Sequence, residues 1–312
     1  MLSRHGGMEK YGIFVRQKNI KVSNSIMEEK KEMDEGLFKS RSYLSCLNEG
    51  LKLPTRHILS LLRFLYPSLI AGAVVMGLWG VCFNQITVAL TRWMAASEPV
   101  VLSFPLFTLI ILSVLSLLAD SFYMGNVMTA VSRFATSGAW PALRFGEAKR
   151  EIFNASLRAL TCTLVAVVVF SLLIVPVTLW LGAGNVLLLA LGVPCCMVIM
   201  DYMLGERRDF WCSLKRMKDG YQYWGAFFII LFCGGLIMGV LAAVSWLPAG
   251  ILAYAGHASL MGVLEGDATD LPSYVPALVV FFFMLASVIA NVFSWLTLFP
   301  LSYLYGSVEA RK

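Results

Sequence analysis

Charge is scarce in this chain: Asp, Glu, Lys and Arg make up 14% of its 312 residues, against 58% hydrophobic. Soluble domains average about 25% charged and about 45–50% apolar, so a fold solvated by water alone is excluded. Histidine is scarcer still. His5, His57 and His257 are the only three and lie far apart, which rules out a four-histidine iron site and offers no clustered metal ligands. The seven cysteines contain no C-x-x-C pair and are odd in number, supporting neither a zinc site nor a disulfide framework. Most lie in apolar runs, as small packing residues do. Also absent are a G-x-S-x-G elbow, a Walker loop and a Rossmann fingerprint. The Tyr-Asp and Gly-x-Gly-Asp motifs of intramembrane aspartyl proteases are missing too, since "MDYM" reverses the first and "LEGD" lacks a glycine of the second. No cofactor and no catalytic constellation are expected.

What the chain does have is apolar residues in solid blocks: Phe64–Leu90, Val101–Met124, Leu160–Leu181, Val186–Leu204, Ala226–Leu247 and Pro276–Tyr305. Each suffices for the roughly 20 residues that cross a hydrocarbon core, whereas a β-barrel would show short alternating segments. The expected fold is all-α, a polytopic membrane protein with six transmembrane helices. The last block has 30 residues, enough for tilt, a kink at Pro300 or an interfacial end. Residues 46–312 form this membrane domain. Residues 1–45 are polar, rich in Lys and Glu, and expected to be a disordered cytoplasmic segment, within which Met27 is a second candidate start of translation.

Positive charge sets the orientation. Residues 1–63 carry 12 Lys and Arg, residues 125–159 five, residues 205–225 five, and the tail ends in Arg311 and Lys312; Arg92 alone falls in the opposite loops. Cytoplasmic loops retain such residues, so both termini are expected inside. That distribution also assigns the net charge of +6 to topology and anionic lipid head groups, with no nucleic-acid partner. On the opposite side, "GILAYAGHASLMGVL" reads as part of an ordered outer loop or a short interfacial helix, followed by Glu265, Asp267 and Asp270.

Before each hairpin of spans lies a charged, partly amphipathic segment: "CLNEGLKLPTRHILSLLRFLYP", "LRFGEAKREIFNASLRAL" and "ERRDFWCSLKRMKDGYQYWG". These predict helices along the cytoplasmic interface. In the third, Phe210, Trp211, Leu214 and Met217 recur at helical spacing. Arg207, Arg208, Lys215, Arg216 and Lys218 there are the candidate contacts for head groups or a partner protein. The even-numbered spans carry similar endings, "SFYMG", "DYMLG" and "SYLYG". These read either as marks of three helical-hairpin repeats or as ordinary interfacial aromatics with a glycine cap.

The order "apolar span, Asp-Tyr, Gly-Glu, aromatic, Ser-Leu-Lys-Arg-Met-Lys-Asp-Gly, Tyr, Trp-Gly, apolar span" over residues 194–232 resembles bacterial six-helix integral membrane families of unassigned function. These include the membrane domain attached to some glycerophosphodiester phosphodiesterases. The resemblance implies a fold and a bacterial inner membrane, not a reaction, because no phosphodiesterase domain is present.

Asp120 and Asp201 are the only charged residues inside the six blocks. A charge at the bilayer centre costs at least about 2.5–3.5 kcal/mol, which makes each a functional candidate. Counted from the block ends, both fall in the last turns before the cytoplasm, within reach of Arg207 or Arg133. Structural pairing and a proton- or substrate-coupled role are both open. Asn291, near the middle of the sixth span, is the deepest amide, suited to interhelical hydrogen bonding or to lining a pathway. The leading functional expectation is a membrane scaffold or accessory subunit whose basic face docks lipid or a partner protein. The alternative is a small-molecule or lipid transporter using Asp120, Asp201 and Asn291.

Overall fold

A computed structural model of the chain describes residues 36–96, 103–137, 140, 144–181, 184–264, 266 and 272–312. The expected disorder of the N-terminal segment, apart from its last residues, and the acids Glu265, Asp267 and Asp270 fall outside the described residues. The described residues hold helices and no strands, and six helical stretches are long and apolar enough to cross a membrane: Ile58–Leu90, Phe107–Ser137, Phe145–Leu179, Val186–Leu204, Trp224–Ser259 and Val275–Glu309. The helices are α1 (Tyr43–Arg56), α2 (Ile58–Ala96), α3 (Ser103–Ser137), α4 (Phe145–Val169), α5 (Val175–Leu181) and α6 (Gly184–Leu204). Two short helices, α7 (Phe210–Leu214) and α8 (Met217–Gln222), precede α9 (Trp224–Leu264), α10 (Val275–Phe293) and α11 (Trp295–Glu309). Because α1 packs on α11, both described ends of the chain lie at one end of the bundle, the terminal end.

The three charged segments take three different forms. Ser42 caps α1 by accepting a hydrogen bond from the Ser45 N–H at 3.3 Å, and α1 buries Cys46, Gly50, Leu53 and Pro54 as one stripe. The second segment is not a separate interfacial helix. Its residues open α4 and run unbroken into the third span, since neither proline nor glycine intervenes between Gly146 and Val169. Its buried stripe, Ala148, Ile152, Ala155 and Ala159, lies against α3. The third is two short helices, broken where Arg216 turns inward, so Phe210, Trp211, Leu214 and Met217 do not share one buried face. Each segment nonetheless packs on an even-numbered span: α1 on the sixth, α4 on the second, α7 and α8 on the fourth.

The recurrent glycine endings also need correction. Only Gly205 follows a helix end; α3 continues to Ser137, past Gly125, and α11 continues to Glu309, past Gly306. Gly125 and Gly306 are instead points of contact between backbones. A Cβ on Gly125 would stand 2.5 Å from the Ser156 N, and one on Gly306 would stand 2.3 Å from the Leu37 carbonyl oxygen. Gly50 plays the same part, with its absent Cβ 2.4 Å from the Pro300 Cα. Small residues let helix backbones approach closely where hydrocarbon supplies no driving force for association.

The interruptions have local causes. Residues Phe170–Ile174 form a π-helical turn immediately before Pro176, whose ring and missing N–H cannot continue an α-helical ladder. The sixth span breaks at Ser294, six residues before Pro300. There the Asn291 carbonyl accepts from the Tyr123 hydroxyl and from Ser294 Oγ (2.7 Å), drawing it into a tighter turn. The sequence "GILAYAGHASLMGVL" simply completes α9, so no separate interfacial helix forms from it.

Gly50→Ala is expected to destabilise the protein by about 1–3 kcal/mol, because its methyl meets backbone and not a flexible side chain. Gly235→Ala, with open space at its Cβ, should be neutral or stabilising by about 0.5–1 kcal/mol. Thermal unfolding in mild detergent reads the contrast, and equal shifts would contradict the close packing.

Candidate functional site

Among the described residues, the sequence candidates separate into two places. Asp120 and Asn291 meet at one cavity of about 180 Å³, whereas Asp201 lies elsewhere. Helical spacing builds the walls: Gly72, Val75 and Met76 from α2, Ser116, Ala119 and Asp120 from α3, Ser287, Ala290 and Asn291 from α10, with Trp246 from α9. Glycine at position 72 leaves room for the Asn291 amide, since a Cβ there would be 3.3 Å from Asn291 Nδ2. Trp79 Nε1 donates to Ser116 Oγ at 2.8 Å, tying α2 to α3. One turn nearer the terminal end, the Tyr123 hydroxyl bonds to the Asn291 carbonyl and lies 3.1 Å from Ser294 Oγ, closing the floor.

The helix that carries Asp120 runs on beyond the apolar block. The apolar helical stretch of the second span is Phe107–Ser137, and Asp120 stands 17 residues from its terminal end along the helix. That is about 25 Å at the helical rise per residue. The apolar block had ended at Met124 because the helix beyond it is only mildly polar. Asp120 is exposed at the cavity rim and has no hydrogen bond or ion pair among the described residues. Arg133, a partner suggested by sequence proximity, instead donates through Nε and Nη2 to Glu151 at 2.8 and 3.1 Å, joining α3 to α4.

A second cavity of about 410 Å³ continues toward the far end of the bundle. Phe83 and Thr87 of α2, Ala249, Gly250, Ala253, Tyr254 and His257 of α9, and Phe283 of α10 line it. Trp246 borders both cavities, and its ring meets Phe283 edge-on at 5.0 Å. Phe83 stands 5.7 Å from the Phe283 ring. Trp246 thus stands between the chamber that holds Asp120 and the larger one.

Asp201 belongs to a closed ionic cluster at the terminal end. Its Oδ2 accepts from Ser213 Oγ at 2.7 Å, and its Oδ1 accepts from Arg216 Nε at 3.3 Å and the Tyr305 hydroxyl at 3.1 Å. Arg216 also donates to Asp219 Oδ2 at 3.1 Å and to Glu309 Oε1, and Lys312 Nζ bonds both of those carboxylates. Burial opposes the charge on Arg216, but its hydrogen bond to Glu309 and the charges of Glu309 and Asp201 hold the guanidinium pKa above its ordinary value. Every acceptor oxygen of Asp201 is engaged, so the cluster is a clamp between α6, α7, α8 and α11, with no group left for chemistry. Arg216, grouped by sequence with the head-group contacts, is committed to this clamp. Sequence reading missed Ser213, Asp219, Tyr305, Glu309 and Lys312; the only available signal was the i, i+3 spacing of Arg216 with Asp219 and of Glu309 with Lys312.

Arg207, Arg208, Lys215 and Lys218 remain exposed and flank in sequence Trp211, which is 72% exposed. Arg208 takes a positive φ of 50° in the turn after α6 and donates to Ser132 Oγ at 3.3 Å. His57 stacks on Trp140 with ring centroids 4.9 Å apart. No group of three His, Cys, Asp or Glu side chains could hold a metal ion among the described residues.

Six spans and an intramembrane polar cavity define a multi-pass helical membrane protein. Comparison of the chain with protein-family models, curated proteins and solved structures finds no match.

Removing one partner of the clamp strands the others. Arg216→Met is expected to lower stability by about 1–3 kcal/mol, since Asp201 then loses its cation while Asp219 and Glu309 share Lys312. Tyr305→Phe should cost about 1 kcal/mol, the worth of one hydrogen bond. Thermal unfolding of both single variants and the double variant tests this, with losses short of additive expected from one shared network.

Proposed function

We propose that the protein binds a small solute or lipid-like molecule at the Asp120 cavity and carries it across the membrane. The supporting observation is the pair of cavities in line along the bundle, with unpaired Asp120 and Asn291 side chains in one and the Trp246–Phe283 aromatics between them. An unpaired carboxylate within a span costs folding energy and contributes no contact in return. Asp201 meets its cost through three side chains, Ser213, Arg216 and Tyr305; Asp120 has none among the described residues, so its use lies with a proton or a ligand. The Trp246 ring is positioned to separate the chamber from the far end, and its rotation would join the cavities. Asp201 therefore leaves the transport machinery and Asn291 stays in it.

A second reading, a membrane scaffold or accessory subunit, draws on one observation. Exposed Arg207, Arg208, Lys215 and Lys218 flank an exposed Trp211 in sequence, a combination suited to anionic head groups or an acidic partner surface. Transport is preferred because that basic surface leaves Asp120 without a role.

For localisation we propose the inner membrane of a bacterium with both termini cytoplasmic, on the strength of the Lys and Arg distribution. Reporter fusions after Met94 and after Lys218 should report opposite sides; the same side for both would overturn the orientation.

Function is tested in proteoliposomes loaded with a pH-sensitive dye and presented with a panel of cationic, neutral and anionic solutes. A saturable pH change with one class is expected, abolished by Asp120→Asn and retained by Glu206→Gln, a surface control. No response to any class, or a response indifferent to Asp120→Asn, would sink the proposal.

A further inference from the structure

We infer that the ligand of this site is an amphipathic organic cation, with an amine at Asp120 and an apolar body in the second cavity. This rests on the transport reading of the same site, and the test below separates the two. Among the described residues no lysine or arginine lines either cavity, Asp120 is the sole carboxylate lining them, and the one imidazole, His257, lines the outer cavity and not the Asp120 chamber. An anionic ligand at Asp120 would therefore bring its charge beside another negative group with no lysine or arginine there to offset it. A neutral ligand would leave the carboxylate unpaired in an apolar surround. A cation satisfies it, and the neighbouring groups suit the N–H donors of an amine: Asn291 Oδ1 and Ser287 Oγ are acceptors at the same cavity. The Trp246 ring face adds cation–π attraction, for which tryptophan is the best aromatic partner.

The volumes set the shape of the rest of the ligand. The inner cavity of about 180 Å³ takes an ammonium group and a short stem. The outer cavity of about 410 Å³ is lined mainly by apolar and aromatic side chains, and a cavity of about 150 Å³ already holds a benzene ring. A ring or branched chain linked to an amine by a few carbons fills both. Asp120 is exposed at the rim between helices, so a molecule dissolved in the bilayer reaches it from the side. An amphiphile with its charge at one end arrives in that orientation.

The test uses the full chain in nanodiscs of phosphatidylglycerol, which carry no lipid amine, with empty discs as the blank. Three probes share one carbon body: 4-phenylbutylamine, 4-phenylbutan-1-ol and 4-phenylbutyrate. Calorimetry is expected to give the amine a Kd at least about tenfold below that of the alcohol, equal to about 1.4 kcal/mol, with no saturable binding of the acid. Asp120→Asn should bring the amine to the level of the alcohol, and Trp246→Leu should weaken the amine more than the alcohol. Equal affinity for amine and alcohol, saturable binding of the acid, or an amine preference that survives Asp120→Asn would each overturn the inference. Discs containing phosphatidylethanolamine read the source of the amine: lost probe binding assigns an aminolipid, retained binding a free amphiphile, and both uphold the cation. Amine binding without amine flux in proteoliposomes would defeat transport and keep the ligand class. Asp120-dependent flux of a non-cationic solute would do the reverse.

Discussion

Hydrocarbon offers no hydrogen-bond partner, so each spanning backbone must satisfy itself as a helix, and what then decides the fold is where side chains let two helices touch. In this chain the touching points are glycines. Gly50 against Pro300, Gly125 against Ser156 and Gly306 against Leu37 bring backbones within a distance no Cβ would tolerate. The first two lie where a charged segment meets the sixth or second span, and the third where the chain just before α1 meets the sixth. The fourth span has its own version, in which Gly220 of α8 faces the Pro194 backbone. Three segments of different local form thus dock on three even-numbered spans by one device. The regularity is in the docking and not in the helices themselves.

The same constraint sorts the polar side chains. Asp201 lies at a helix end, where a returning loop brings Ser213 and Arg216 and the last helix brings Tyr305. Its charge is neutralised, and the cluster becomes a joint for four helices. Asp120 has the same chemistry within the second span and no such loop near it. Arg133, 13 residues onward, is already held by Glu151. Two aspartates that look equivalent in sequence therefore divide into a structural one and an unpaired one. The division follows from which helix ends can reach them.

The six spans, their all-helical class and the grouping of both described chain ends were legible in the sequence because hydropathy reports the solvent directly. Span length was less legible. The stretch after Met124, "GNVMTAVSRFATS", is polar enough to end a hydropathy block, yet it has no proline and continues as helix to Ser137. The helix therefore extends 17 residues beyond Asp120, well past the end of the hydropathy block. Long-range pairs were least legible. Tyr305 is 104 residues from Asp201, and nothing in local spacing joins them. Pro300 was the obvious candidate for a break, but the helix yields at Ser294, where a tyrosine from another span takes the Asn291 carbonyl.

That last contact ties fold to site. By bonding the Asn291 backbone, Tyr123 fixes the end of α10 against α3, one turn below Asp120 and the Asn291 amide. The amide is thereby turned toward Gly72 and the cavity, not toward a helix neighbour. The break in the sixth span is therefore more than a tolerated irregularity: it frees a carbonyl for Tyr123 and sets the floor on which the chamber stands. Toward the far end Trp79 Nε1 donates to Ser116 Oγ and joins α2 to α3, whereas α9 and α10 meet there through aromatic rings in van der Waals contact. Rings rotate at far lower cost than a hydrogen-bonded helix break can shift. Under the transport reading proposed above, the side closed by aromatic rings between α9 and α10 is the one free to open first.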